Sequence, residues 1–257
     1  FNKPLAWASW GALVIGPNHL IWKFKEAIDR TFMAKFDFAF DMGKSQTLNN
    51  QEMACRGCAA KLPAQPLKEA LDQANLSALG EEPEDAVVIA SLPDGKSVVQ
   101  SIDGFPALVS DPWLNARLTT LHACSDLWAT GASVVSAQAV ITLPQVPNKI
   151  QKELLAQSLL GINSALEPQG AKLIGGHTLE ARNNSPQPSS LGLQIALSVN
   201  GLVPSGFAPW TKGGFQLGDA LIISGCLGSG VLFAAAKAGK SCAKDLDAAL
   251  DALQISQ

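Results

Sequence analysis

Between residues 113 and 129, Leu114, Leu118, Leu121 and Trp128 recur every three or four positions, and that spacing predicts a helix. Lys149–Leu166 repeats the pattern over a second long helix, closed near Gly170. Leu67–Ala74 reads as a shorter one. Around them the pattern turns β-like. Ala86–Ala90 and Ser97–Ile102 are β-rich runs joined by a turn at Pro93-Asp94-Gly95. Ser136–Leu143 and Ala171–Ile174 read as strands, and Leu191–Val203 alternates as a long strand. Two helices set among strands with largely non-local pairing predict an α+β layer, with both helices packed on one face of a mixed sheet.

The flanks differ from this middle. Leu20–Phe38 reads as a basic amphipathic helix in which Trp22, Phe32 and Phe36 interleave with Lys23, Lys25, Arg30 and Lys35. Such a helix can lie on a membrane surface, as a peripheral contact through residues 20–38, or dock on a partner domain. The polar stretch Gly43–Glu52 reads as a linker. Downstream, the Gly- and Pro-rich passage Pro204–Gly218 marks a boundary. It is followed by a predicted strand, Asp219–Ser224, and helices at Val231–Ala238 and Ala243–Leu253. Three parts are expected: residues 1–48, 49–205 and 206–257. The chain opens on Phe1 and stops at Gln257 with no helix stop signal, so a piece of a longer polypeptide is expected.

Composition narrows the function classes. Of 257 residues, 47% are hydrophobic, enough for a core, and 16% are charged with a net charge of -3. That excludes a disordered chain and a nucleic-acid binder working by bulk positive charge. No apolar run reaches the ~18–20 residues that cross a bilayer. The 5 cysteines do not form a secreted disulfide pattern. Cys124 and Cys226 sit in apolar runs and read as small buried hydrophobes. Cys55-Arg56-Gly57-Cys58 can be a redox couple, half a zinc site or an activated nucleophile. No second pair stands at zinc spacing, which argues against a four-ligand zinc site. A P-loop, a nucleophile elbow and an H-E-x-x-H helix are all absent.

The informative carboxylates stand in apolar settings. Asp85, with Glu84 beside it, precedes one strand; Asp103 ends the next; Asp126 lies inside an apolar helix. Acidic residues are rarely buried unless paired or metal-bound. Three could converge on a hard cation such as Mg²⁺. The plainer alternative is that each caps a turn or pairs with Arg117 or a lysine. The segment Ile174-Gly175-Gly176-His177-Thr178 reads as a turn after a strand, where paired glycines let backbone N–H groups approach a phosphate. Gly228-Ser229-Gly230 before a helix is similar.

Taken in order, these segments are more specific than any one of them. Cys58-Ala59-Ala60-Lys61, Glu84-Asp85-Ala86-Val87-Val88, Ser101-Ile102-Asp103-Gly104-Phe105 and Asp111-Pro112 leading to Arg117 come first. Ser125-Asp126-Leu127-Trp128-Ala129-Thr130-Gly131-Ala132, Gly175-Gly176-His177-Thr178, Gly201-Leu202-Val203-Pro204 and Gly218-Asp219-Ala220-Leu221 follow. Over about residues 53–240 this succession resembles the selenophosphate synthetase family, within the aminoimidazole ribonucleotide synthetase superfamily. The resemblance implies selenophosphate made from selenide and ATP, with release of AMP and orthophosphate, and requirements for Mg²⁺ and K⁺. It implies that Cys58 and Lys61 are catalytic. It makes Asp85 and Asp126 Mg²⁺ ligands on the ATP phosphates. Glu84, Asp103, Asp126, Gly176, His177 and Thr178 are then nucleotide-binding. It implies an N-terminal ATP-binding domain whose sheet forms a barrel across a homodimer, followed by a truncated α/β domain. Metal ions and a lysine suit the charge that builds on phosphate oxygens, and a thiolate near Lys61 has its pKa lowered.

The sequence departs from the family in three places. The usual Cys-Gly-Cys-Lys is here Cys58-Ala59-Ala60-Lys61, with the second cysteine upstream at Cys55. His122 stands where many members carry Asn. A further Mg²⁺-binding Asp belongs to the C-terminal domain beyond this stretch. Within residues 1–48, Trp22-Lys23-Phe24-Lys25, Ala27-Ile28-Asp29-Arg30 and Phe32-Met33 resemble the tail of a flavin-dependent oxidoreductase of the type II NADH dehydrogenase kind. That implies a fused upstream flavoprotein domain holding FAD, and a cytoplasmic protein, membrane-peripheral through that domain. Two alternatives stay open: a superfamily member that releases ADP, and a regulatory or dimerisation module of the flavoprotein.

Overall fold

A computed structural model describes residues 5–10, 13–34, 61–77, 83–181, 193–223, 225–237 and 239–255. Cys55 and Cys58 lie outside the described residues. The chain divides into two units, residues 1–45 with 187–191, and residues 46–186 with 192–257.

In the first unit, strands β1 (Ala6–Trp10) and β2 (Leu13–Asn18) pair antiparallel and lead into helix α1 (His19–Ala34). The sequence pattern predicted the helix but not the hairpin. The Asn18 side chain accepts the Leu20 N–H at 2.7 Å, an Asn serving the first turn of a helix. Leu20, Phe24 and Ile28, each four residues on, are exposed beside Lys23 and Lys25, as the amphipathic reading expects.

The second unit is built on a five-stranded sheet. Its helices and strands run in the order α2 (Ala64–Gln73), β3 (Val87–Ser91), β4 (Ser97–Pro106), α3 (Pro112–Ala129), β5 (Ser133–Leu143), α4 (Asn148–Leu166), β6 (Lys172–Glu180) and β7 (Gln194–Val203). Helices α5 (Ser229–Lys237) and α6 (Ala243–Leu253) follow and pack on each other. The strand order across the sheet is β3-β4-β7-β5-β6. All neighbours are antiparallel except β5 and β6, whose parallel pairing is allowed by the crossover through α4.

Alternation fixes which face is covered. Ile195, Leu197, Val199 and Val203 of β7, with Ala137, Ala139 and Ile141 of β5, are buried. They pack in one core with Ala123, Cys124 and Leu127 of α3 and with Ile162 and Leu166 of α4. This is the expected α+β layer, two helices on a mixed sheet. Residues of opposite parity point the other way, and there Ile102, Val140 and Ile174 remain exposed. Helix α3 starts where its sequence dictates. Asp111 accepts the Leu114 N–H at 2.7 Å, and Pro112 takes the first helical position, where its missing N–H costs nothing. The turn at Pro93-Asp94-Gly95 is present, with the Gly95 N–H donating to the Leu92 carbonyl at 3.0 Å.

Three expectations are corrected. Gly175, Gly176, His177 and Thr178 form no turn. They lie within β6, held in a ladder that runs to Leu143 and Glu180, because β5 offers paired backbone groups along its whole length. Residues 219–223 are not a strand; no neighbouring strand is present among the described residues to give them a ladder. Cys226 is exposed, while Cys124 is fully buried as expected. The runs flanking Cys226 are apolar, but Leu221, Ile222 and Leu227 are themselves exposed, with no layer of the described residues over them.

Candidate active site

Strand β4 and helix α3 together bring the carboxylates to one place. Ser101 and Asp103, two apart on β4, point to the helix side. His122 and Asp126, four apart on α3, share one helix face. His122 Nε2 lies 3.0 Å from Asp103 Oδ2, and the Ser101 hydroxyl donates to Asp126 Oδ2 at 2.7 Å. Lys61, just ahead of α2, reaches Asp103 Oδ2 at 3.4 Å with its side chain 65% exposed. The Gly104 N–H donates to Asp103 Oδ1 at 2.7 Å. Asp85 sits two residues before β3, half-buried, with Lys212 Nζ 2.7 Å from its Oδ1. Glu84 is exposed and accepts the Lys212 backbone N–H at 2.9 Å.

The electrostatics follow from these contacts. Burial works to raise the pKa of Asp103. The His122 hydrogen bond, the Gly104 N–H and the charges of His122 and Lys61 outweigh it and bring the carboxyl down to about 2. Asp126 goes the other way. Burial raises it against the Ser101 hydrogen bond, and the nearby negative charges of Asp103 and Asp85 raise it further. The Cys124 thiol is pushed by burial up to about 12, despite a hydrogen bond from Gln169, and is an inert core atom.

Repulsion that persists among carboxylates, as the raised Asp126 shows, is what a hard divalent cation removes. Among the described residues no three His, Cys, Asp or Glu side chains stand close enough to hold a metal ion by themselves. The expected three-carboxylate convergence is therefore corrected. The carboxylates couple through space, because their elements bring them near one another but not onto a single point. Asp85 and Asp126 offer oxygen donors only, the chemistry Mg²⁺ prefers, since that ion takes one or two protein carboxylates and completes its shell with phosphate oxygens and water.

Arg117 does not pair with any of the carboxylates. It donates to the Ser164 carbonyl at 2.6 Å and the Gln254 carbonyl at 3.2 Å, and lies over the Trp113 ring. Gly176, His177 and Thr178 are not brought into the cluster within one chain. Edge strand β6 is three strand spacings from β4, about 14 Å. Lys212 was not among the sequence candidates. It is a basic residue ahead of Gly213-Gly214 in the boundary segment, and only folding carries it back over more than a hundred residues to Asp85.

The five-stranded sheet carries two helices on one face and places carboxylates where β3, β4 and α3 meet. Residues 83–203 match the family described as AIR synthase related protein, N-terminal domain. The chain is 34% identical over 157 residues to a selenide, water dikinase of Nitratidesulfovibrio vulgaris (strain DP4), covering 61% of this chain and 41% of that protein. It is 32% identical over 189 residues to the selenide, water dikinase of Pelobacter propionicus, covering 71% and 51%. The chain thus spans about half or less of the length of these relatives. The thiamine-monophosphate kinase of Stenotrophomonas maltophilia K279a shares the fold, with a TM-score of 0.51 at 19% identity over 72% of this chain and 60% of that one.

Proposed function

We propose that this chain is the nucleotide-binding part of a selenide, water dikinase, which makes selenophosphate from selenide, ATP and water and releases AMP and orthophosphate. The observation that carries the reading is the group around Asp103. A buried carboxylate holds an exposed lysine, Lys61, and a histidine, and the charges of Asp103 and Asp85 both reach Asp126. Asp85 and Asp126 would hold Mg²⁺, which supplies charge neutralisation at the phosphate oxygens. Lys61 places a positive charge at the edge of the site, where the oxygens of the transferred phosphoryl group gain charge. Cys58, three residues before Lys61 in sequence, supplies the thiol that handles selenide. K⁺ as a second cation, and FAD in a fused upstream domain, stay within the proposal as implications of the resemblance.

The direct test supplies the intact protein with Mg²⁺-ATP, with and without selenide, and separates the nucleotides. AMP released only when selenide is present is expected, and Cys58→Ala abolishes it. ADP formed independently of selenide would oppose the reading.

We further propose that the chain works as a homodimer. The sheet face turned away from α3 and α4 carries Ile102, 75% exposed, together with Val140 and Ile174. A second copy closing on this face would form the barrel. Ile102→Glu with Val140→Glu is expected to convert the dimer to monomers in sedimentation velocity, since each charge would have to be buried unpaired. An unchanged dimer would place the interface elsewhere.

A further inference from the structure

Lys212 belongs to the segment that leaves β7, yet it spends its contacts on the entrance to β3. Its Nζ lies 2.7 Å from Asp85 Oδ1 and donates to the Pro83 carbonyl at 3.2 Å, while its backbone N–H donates to Glu84 Oε2 at 2.9 Å. The strap holding it is pinned once more, two residues earlier. The Trp210 N–H donates to the Thr130 carbonyl at 3.0 Å, and its ring lies against Gly131. Immediately beyond Lys212, Gly213 and Gly214 have no neighbouring atoms at their Cβ positions, and Gly214 sits at φ +89°. A strap fastened at Trp210 and at Lys212, then followed by two unencumbered glycines, can let go of Asp85 without disturbing the sheet.

The chemistry of Asp85 makes that release matter. An ammonium 2.7 Å from a carboxylate oxygen occupies one of the directions from which a metal ion would approach it. Both groups are partly exposed, so the pair is weak and exchangeable rather than a permanent part of the core. We propose that Lys212 is a placeholder cation for Asp85, held there in the nucleotide-free protein and exchanged for the metal when metal–nucleotide binds, so that loading the site frees the strap beyond Trp210, residues 211–214. This rests on the nucleotide-binding reading of the site. Lys212 is accordingly a positioning residue, acting through Asp85.

The test titrates Mn²⁺, as a spectroscopically visible substitute for Mg²⁺, into the intact protein with a non-hydrolysable ATP analogue, reading free Mn²⁺ by electron paramagnetic resonance. Lys212→Met removes the competitor and should tighten Mn²⁺ binding about three- to fivefold, the scale of a partly exposed ion pair; Lys212→Gln should do the same, and Lys212→Arg should bind as the unaltered protein does. Amide hydrogen exchange gives the second readout. The Mn²⁺–analogue complex should speed exchange at residues 211–214, and Lys212→Met should show fast exchange there without ligand. Unchanged or weakened Mn²⁺ binding in Lys212→Met, with binding by the unaltered protein intact, overturns the placeholder role alone. No Mn²⁺–analogue binding by the unaltered protein overturns it together with the nucleotide-binding reading.

Discussion

Lys61→Ala is expected to lower selenide-dependent AMP formation by about a thousandfold, the scale of losing one preorganised charge at a reacting phosphoryl group. Nucleotide affinity should stay within a few-fold. The geometry gives the reason for that split. Lys61 is mostly exposed and is aimed by a buried anion, Asp103 Oδ2, at 3.4 Å. Its charge therefore faces outward, where the proposed phosphoryl transfer would build charge, rather than holding the fold. Asp103 is the positioning half of the pair. Asp103→Asn keeps an acceptor for the Gly104 N–H but leaves His122 and Lys61 without their anion, so it should also depress turnover while Lys61 remains present. Single-turnover quench experiments with equilibrium nucleotide binding separate the two effects. Comparable turnover in Lys61→Ala and the unaltered protein would remove Lys61 from the chemistry.

The same carboxylate carries a pH signature. Asp103 titrates near 2 in the folded chain, below the ordinary carboxylate value of 3.8. Its stabilising contribution is thus fully present above about pH 4 and is lost as the pH falls through about 2. Urea unfolding between pH 5 and pH 2 should show this acid-side loss in the unaltered protein and a shallower one in Asp103→Asn. Equal slopes would mean that the carboxyl is not held by its partners.

Gly161→Val should be the most destabilising single change in the helical layer, at about 3 kcal/mol. Gly161 is buried on α4 where it crosses α3. A Cβ built there runs into the Trp113 carbonyl oxygen and comes within 2.9 Å of the Ala116 Cβ. Backbone cannot swing aside as a flexible side chain does, so the two helices must separate and the core behind them opens. The loss reads as a lower urea midpoint with an unchanged slope. Gly170→Ala is the contrast: its φ is +72° but nothing lies within 4 Å, so only backbone strain of about 1 kcal/mol is expected. Because α3 also carries His122 and Asp126, Gly161→Val should weaken nucleotide binding as well. A stability like that of Gly170→Ala would show that the α3–α4 contact yields easily.

What the sequence determined by itself was local. Periodicity placed α3, α4 and the paired strands within a few residues, because apolar spacing and a Pro or Gly at the ends act over one element. The apolar settings of Asp85, Asp103 and Asp126 marked them as candidates, and the structure brings their elements together. The ordered motifs carried the resemblance to selenophosphate synthetase that the curated relatives bear out. Tertiary structure decided the rest. The run from Gly175 to Thr178 looked like a turn because glycines disfavour an isolated strand, but a ladder along β5 holds it extended. Cys124 and Cys226 have similar neighbours in sequence, yet one lies under the sheet and the other is exposed. Lys212 is a surface lysine in a boundary segment until β7 runs alongside β4 and delivers it to Asp85. In each case the deciding partner is remote in sequence, and hydrophobic spacing carries no information about which distant backbone or side chain will supply it.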